Sequence, residues 1–232
     1  MKVSCLIFLC IFANAFNVLK AQTVNNYRLF FHPTFNGRAL HLEDSFYKIS
    51  FTDSIRFTRC RFYISGIQLF NNKRLVYKEE QSFHLVDAGE DASMKLILNT
   101  PKEISFNQIK FNIGIDSTTN VSGAMGGDLD PTKGMYWTWQ SGYINVKLEG
   151  QSNLCKTRNN EFEFHLGGYS PYPTCKSVVL DVIQTEHIQI ELDISKFINS
   201  INLAEQHHLM TPGKEAAALS EKFIKAFSIV QP

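Results

Sequence analysis

The sequence predicts a mainly β protein, an antiparallel β-sandwich with one short C-terminal α-helix, and three observations carry that reading. Apolar side chains recur with period two along most of the chain, most clearly in His187-Ile188-Gln189-Ile190-Glu191-Leu192-Asp193-Ile194. Short stretches of this kind are separated by Gly, Pro, Asn and Asp, the residues of tight turns. The chain also holds 19 Phe and 8 Tyr against 2 Trp, and such rings pack well on a pleated surface.

The elements follow in order. Met1-Lys2-Val3 precedes an apolar run from Ser4 to Phe16 and then small residues, the pattern of a signal peptide. Cleavage is expected after Ala21 in preference to Ala15, because the first strand begins shortly after Gln22. Residues 1–21 are therefore read as the signal peptide and 22–232 as one mature domain, placed in the periplasm or secreted. No later apolar run approaches the roughly 20 residues of a spanning helix, so no membrane insertion of the mature chain is expected.

Strands are expected at 27–32, 46–51, 55–69, 82–87, 93–98, 109–115, 144–148, 162–166, 176–183 and 187–194. At the end of the chain Thr211-Pro212 has the form of an N-cap and first helical residue. Leu219, Phe223, Ala226 and Phe227 then fall at helical spacing, which predicts one amphipathic helix.

Charge and cysteine content narrow the function. Loss of Lys2 and Lys20 with the leader turns a formal charge of +1 into −1, so nucleic acid is not an expected partner. Cys5 and Cys10 leave with the leader, and Cys60, Cys155 and Cys175 remain. In an oxidising compartment a Cys155–Cys175 disulfide is expected, since the two bracket one strand and its turn, whereas Cys60 reads as a buried core thiol.

Nucleophile elbow, phosphate loop, zinc-protease helix and paired-cysteine zinc spacing are all missing, and no acid/base pair stands at recognisable spacing, so no catalytic activity is expected. Asp128-Leu129-Asp130 with Gly134 lacks the remaining positions of a calcium loop and reads as a turn.

The most unusual stretch is composite. It runs through Gly114-Ile115-Asp116-Ser117, Asn120-Val121-Ser122-Gly123 and Gly127-Asp128-Leu129-Asp130-Pro131. It continues with Gly134-Met135-Tyr136-Trp137-Thr138-Trp139-Gln140-Ser141-Gly142-Tyr143 and ends at Lys147-Leu148-Glu149-Gly150. Arg61-Phe62-Tyr63-Ile64-Ser65-Gly66-Ile67, Phe164-His165-Leu166-Gly167-Gly168-Tyr169 and Met210-Thr211-Pro212-Gly213 accompany it. With these segments, from about Tyr27 to Ile229, the chain resembles the MbnP-like copper-binding proteins, exported partners of di-haem c-type cytochrome peroxidases of the MauG and MbnH kind.

The resemblance implies a β-sandwich that binds one copper ion, in some members after the partner peroxidase has oxidised a tryptophan to kynurenine. An indole offers only an N–H donor and cannot ligate a metal, whereas the opened ring presents an aromatic amine beside a ketone. Trp137 and Trp139 are the only tryptophans, so such a change must fall on one of them. If their segment is a strand, both side chains share a face. Some relatives carry a histidine two residues after the modified tryptophan; counted from Trp137, that position here is Trp139.

Imidazole and thioether ligands suit copper. His165 is the first candidate, out of phase with Phe162, Phe164 and Leu166. His32 matches a first-strand position, and Met210 with His208 precedes the final helix, His208 sharing parity with Met210 where His207 does not. His41, His84 and His187 read as structural. The alternative is an exported carbohydrate- or protein-binding module without metal, using Trp137, Trp139, Tyr143 and Tyr169 as an exposed aromatic platform.

Overall fold

The structure, a computed structural model, describes residues 25–101 and 103–230. The leader expected at residues 1–21 lies outside them. Alternating side chains of the described chain build two facing sheets. In the first, β1 (Asn25–Phe35) lies between β13 (His187–Asp193) on one side and β7 (Lys95–Thr100) with β2 (Arg38–Ala39) on the other. The strand β15 (Phe227–Ile229) lies outside β13.

The second sheet runs β12 (Lys176–Asp181), β8 (Gln108–Ile113), β4 (Ser54–Asn71), β10 (Gly142–Ser152), β11 (Glu161–Gly167) and β14 (His208–Leu209). Four shorter strands, β3 (Tyr47–Lys48), β5 (Arg74–Lys78), β6 (Phe83–Asp87) and β9 (Tyr136–Trp137), attach to β4 or β10.

Rings join the sheets. Tyr27, Leu29, Phe31 and Phe35 of β1 are buried on its inner face, and Phe31 meets Phe62 of β4 at 6.2 Å and Phe111 of β8 at 5.9 Å, both edge to face. The helix α3 (Lys214–Phe223) inserts Phe223 against Phe62 at 6.3 Å. Two sheets packed through alternate residues leave the other half of each strand facing outward. That outward half is where candidate ligands must be sought.

The sandwich and its C-terminal helix agree with the sequence reading, with four differences of detail. First, the sheets are mixed rather than purely antiparallel: β1 pairs parallel with β13, Leu29 opposite Ile188 and Phe31 opposite Ile190, and β14 pairs parallel with β11. Alternation fixes which face a residue occupies and carries no information on strand direction.

Second, β3 is far shorter than 46–51, because Ser50 and Asp53 close a tight turn, with Ile49 N donating to Asp53 O at 2.9 Å and Ser50 Oγ to Asp53 Oδ2 at 2.6 Å. Third, β5 forms across a two-residue turn in which Asn72 and Lys73 both have positive φ.

Fourth, α3 begins after Gly213, not at Pro212, and Phe227 leaves the expected helical stripe to join β15. Two five-residue helices, α1 (Ser117–Val121) and α2 (Ile194–Ile198), are also present, each capped by an aspartate, Asp116 and Asp193.

The expected Cys155–Cys175 bridge does not form; Cys60, Cys155 and Cys175 are all free thiols. The reason lies in the register. Cys155 follows Ser152, which pairs with Ile55 near the start of β4, whereas Lys176, next to Cys175, pairs with Ile113 and through it with Ile64. Nine residues of extended β4 separate those levels, roughly 30 Å at ~3.3 Å per residue, against the roughly 7 Å limit between Cα atoms of a disulfide. Cys155 Sγ instead points to Leu203 O at 3.9 Å. No helix among the described residues is long and apolar enough to cross a membrane.

Candidate functional site

Between β8 and β10 the chain leaves the second sheet and returns as a compact excursion over its outer face. Its polar residues hold it there. Gly114 has φ +108°, and a Cβ at this position would lie 2.4 Å from the Asn145 side chain, so only glycine lets the chain turn. Asn145 accepts from Ile115 N at 2.9 Å and donates to Thr174 Oγ1 at 2.7 Å. Asn120, at the end of α1, accepts from Tyr143 N at 2.9 Å and donates to Ile115 O.

The Tyr143 hydroxyl donates to Leu129 O at 3.1 Å and accepts from Met125 N at 3.0 Å, while the Tyr63 hydroxyl donates to Asp128 O. Burial drives both phenols up in pKa. Beneath them a second small core gathers Tyr63, Leu85, Ile115, Leu129, Met135, Trp137, Tyr143 and Ile144. Most of the unusual motif thus has structural work: it pins the excursion that carries the tryptophans.

Trp137 is part of that small core and Trp139 is not, and neither indole N–H makes a hydrogen bond among the described residues. Trp137 lies in β9, is 6% exposed, and pairs with Gly142. Its six-membered ring rests on Gly167 of β11, where a Cβ would sit 2.6 Å from Cζ3. Trp139 falls in the turn between β9 and β10 rather than in a strand, yet its ring packs on that of Trp137, centroids 5.6 Å apart, and it is 62% exposed. The aromatic platform of the alternative reading does not form, because Trp137 and Tyr143 are buried.

His165 stands two residues before Gly167 and so on the same outer face. It is only 5% exposed. Its Nε2 lies 2.7 Å from Glu149 Oε1, and Glu149 Oε2 accepts from Arg59 Nε at 3.2 Å. A carboxylate only accepts, so Nε2 carries the proton and Nδ1 keeps its lone pair, with no hydrogen-bond partner among the described residues. The bond to His165 is the main reason that Glu149 ionises below the usual carboxylate range.

Across the sheet, Lys147 is opposite His165 on one side and Arg61 on the other. Burial lowers the Lys147 ammonium's pKa, and its Nζ donates to Gly134 O at 2.5 Å; Arg61 pairs with Asp87 at 2.6 Å and donates to Lys133 O. Both cations are thus turned toward partners in and beside the excursion.

The thioether candidate follows β14 directly. In β14 His208 is level with Glu163 and Leu209 with Phe164, and continuing that parallel register by one residue brings Met210 level with His165. Pro212 packs against Gly168, where a Cβ would come within 2.5 Å of its Cβ, so the two segments stay side by side beyond the last ladder pair. His208 shares the face but is exposed, its Nδ1 3.2 Å from Glu163 Oε2. His207 has the opposite parity, and its Nδ1 is buried without a partner.

His32 is not part of this site. It projects from the outer face of the other sheet, exposed, with Nε2 2.5 Å from Gln189 Oε1 and its ring stacked on Phe30. Two packed sheets, about 10 Å apart, separate it from His165. Among the described residues no three His, Cys, Asp or Glu side chains come together in metal-holding geometry. On this face stand His165 and, over Gly167, Trp137 with Trp139 against it, while Met210 follows one residue after the last ladder pair of β14; Glu149 and Lys147 are neighbours of His165 that the sequence reading had not assigned. Their parity in β10, out of phase with Val146 and Leu148, was the available signal.

Comparison with known proteins agrees with this architecture. The solved structure of MbnP from Methylosinus trichosporium superposes with a TM-score of 0.54 over 79% of this chain and 78% of that one, at 13% identity, a likeness of fold. No curated protein matches the chain. A family model described as MbnP matches residues 24–213, from the start of β1 through the glycine that opens α3, and by that match the chain belongs to the MbnP family.

Proposed function

We propose that this chain is an exported, non-catalytic copper-binding protein whose metal site is completed when a partner di-haem peroxidase converts a tryptophan to kynurenine. One observation carries the reading. A nearly buried histidine, its Nε2 engaged by Glu149 and its Nδ1 free, stands beside the glycine on which Trp137 lies. A carboxylate holding the far nitrogen of an imidazole is the usual support of a metal-ligating histidine.

The donor set suits the metal. His165 and Met210 supply imidazole and thioether, which bind copper well. They are too few to hold an ion alone, consistent with a site that gains a donor by modification. Of the two indoles, Trp137 is the proposed donor, because its ring packs on Gly167, two residues along the same face of β11 from His165. Glu149 holds the proton on Nε2 and orients the ring, and Lys147 is turned to Gly134 O. When bound, copper gives the protein a transferable metal cargo, for storage, carriage or sensing.

The test is expression with and without a di-haem peroxidase, followed by copper quantification and peptide mass analysis. The expected result is copper in the co-expressed protein at one ion per chain, with a mass change confined to the peptide that holds Trp137. Copper in neither preparation would sink the proposal.

A further inference from the structure

At the other end of β10 from the tryptophans, hydrogen bonds hold three turns together. Asn36, in the turn between β1 and β2, donates through Nδ2 to Lys48 O at 3.2 Å. Asn153, in the turn between β10 and β11, accepts from Ser54 N at 2.9 Å and donates to Thr52 O at 3.2 Å and Asp53 Oδ1 at 3.1 Å. The middle turn, between β3 and β4, is thereby fixed from both sides. Along β10, Gly142 pairs with Trp137 and Ser152 with Ile55, ten residues further on, which places this end roughly 33 Å from the tryptophan strand at ~3.3 Å per residue.

Tight turns normally present polar residues to water, and this middle turn presents a ring. Phe51, at the apex that Ser50 and Asp53 close, is 96% exposed, the highest value of any large hydrophobic residue described. Phe46, just before β3, is 61% exposed, with the Arg56 guanidinium 5.3 Å from its ring centre. The same three segments carry Arg38, Lys48, Lys156 and Arg158, all exposed and none in an ion pair among the described residues. Their acids are Asp53, whose carboxylate takes the Ser50 hydroxyl and the Asn153 amide, and Asp44 and Glu161 at the outer margins. Cations are therefore in excess here, and unpaired.

Exposed rings among lysines and arginines match the two layers of a bilayer interface: the ring enters the boundary between headgroups and acyl chains, and the cations meet anionic headgroups. The shape points the same way. Two rings on a projecting hairpin do not make the contiguous apolar patch of a protein–protein interface core. Cations spread over three turns suit a diffuse negative surface better than a single acidic side chain.

We propose that this end docks the protein on an anionic lipid surface, with Phe51 and Phe46 seated at headgroup depth and no element crossing the bilayer. Docked in this way, the protein holds the strand that carries Trp137 roughly 33 Å from the lipid, at ~3.3 Å per residue of β10, and leaves it open to partners in water. The inference is independent of the copper reading.

The test is co-sedimentation of the full mature chain with vesicles of phosphatidylethanolamine and phosphatidylglycerol, and with vesicles of phosphatidylcholine alone. Binding is expected to the first and about tenfold more weakly to the second. It should weaken as added sodium chloride shortens the Debye length from about 10 Å to about 3 Å. Phe51→Ser should bind the anionic vesicles about tenfold more weakly with an unchanged melting temperature, and Lys156→Glu combined with Arg158→Glu should do the same. No binding to anionic vesicles, equal binding by wild type and Phe51→Ser, or binding indifferent both to salt and to the Lys156 and Arg158 changes would overturn the proposal. A dimer of this chain that Phe51→Ser dissociates in sedimentation velocity would assign the ring to a second copy and overturn it too. Copper stoichiometry should be the same in Phe51→Ser and wild type, so a failure of the lipid proposal and a failure of the copper reading are read out separately.

Discussion

His165 and His32 start from the same position in sequence terms. Each sits in a strand one residue out of phase with buried aromatic neighbours, and each projects from the outer face of its own sheet. The first is nearly buried and fixed by Glu149, two residues from the glycine on which Trp137 rests; the second is exposed and meets Gln189 and Phe30. The difference comes from what covers each sheet. An outward histidine becomes a candidate ligand when a second layer removes it from water and a carboxylate fixes its proton, and alternation alone reports neither.

The comparison breaks most directly at the histidines themselves. In the co-expressed protein His165→Ala should abolish copper binding, a loss of about 100-fold or more, while His32→Ala should leave affinity within about twofold in a competition titration with a copper chelator. Equal losses from both would show that the faces do not differ in this way.

Gly167→Ala tests the seating of Trp137. A Cβ there would meet the Trp137 ring and the Tyr143 carbonyl at 2.6 Å, so the indole must move, at a cost of about 2 kcal/mol in chemical unfolding and with a change in tryptophan fluorescence. Unaltered emission and stability would mean that the ring is not held by the sheet.

Glu149→Gln removes the carboxylate under His165 and should weaken copper binding about tenfold. It should also flatten the acid side of the stability curve. Because Glu149 is held below its ordinary value near ~4.3, its contribution is present above that value and is lost as pH falls through the depressed one. Denaturant midpoints measured between neutral and strongly acidic pH should diverge from wild type at the neutral end and converge at the acid end. The equivalent change under His32, Gln189→Ala, should leave the acid branch as it is.

The smallest effect is expected from reductant, which should leave the melting temperature unchanged, since the three thiols are already free. A reductant-sensitive melt would restore the bridge that the register denies.

The sandwich was legible from Phe162, Phe164 and Leu166 or Ile188, Ile190 and Leu192, because burial on one face writes itself into every second residue. The parallel pairing of β1 with β13 was not, since either direction buries the same side chains. In the candidate site, His165 and Trp137 could be named from the sequence, and the seating of Trp137 on the same face of β11 depends on Gly167, a residue visible only as an absence of side chain. Cys155 and Cys175 were misread because nearness along the chain is a poor measure of distance across a sheet whose central strand, β4, runs 18 residues. His32 and His165 look alike in the sequence, because nothing in either strand says what lies above it.

The place of β1 has a kinetic consequence. It is an interior strand whose partner β13 arrives 157 or more residues later, as the Thr34–Glu191 and His32–Gln189 bonds record. A chain emerging from its amino end can pair β1 with β2 and β7 early, but its other edge stays open until nearly everything else has appeared, and contacts of such long range make for slow folding. The first sheet cannot close on a partial chain.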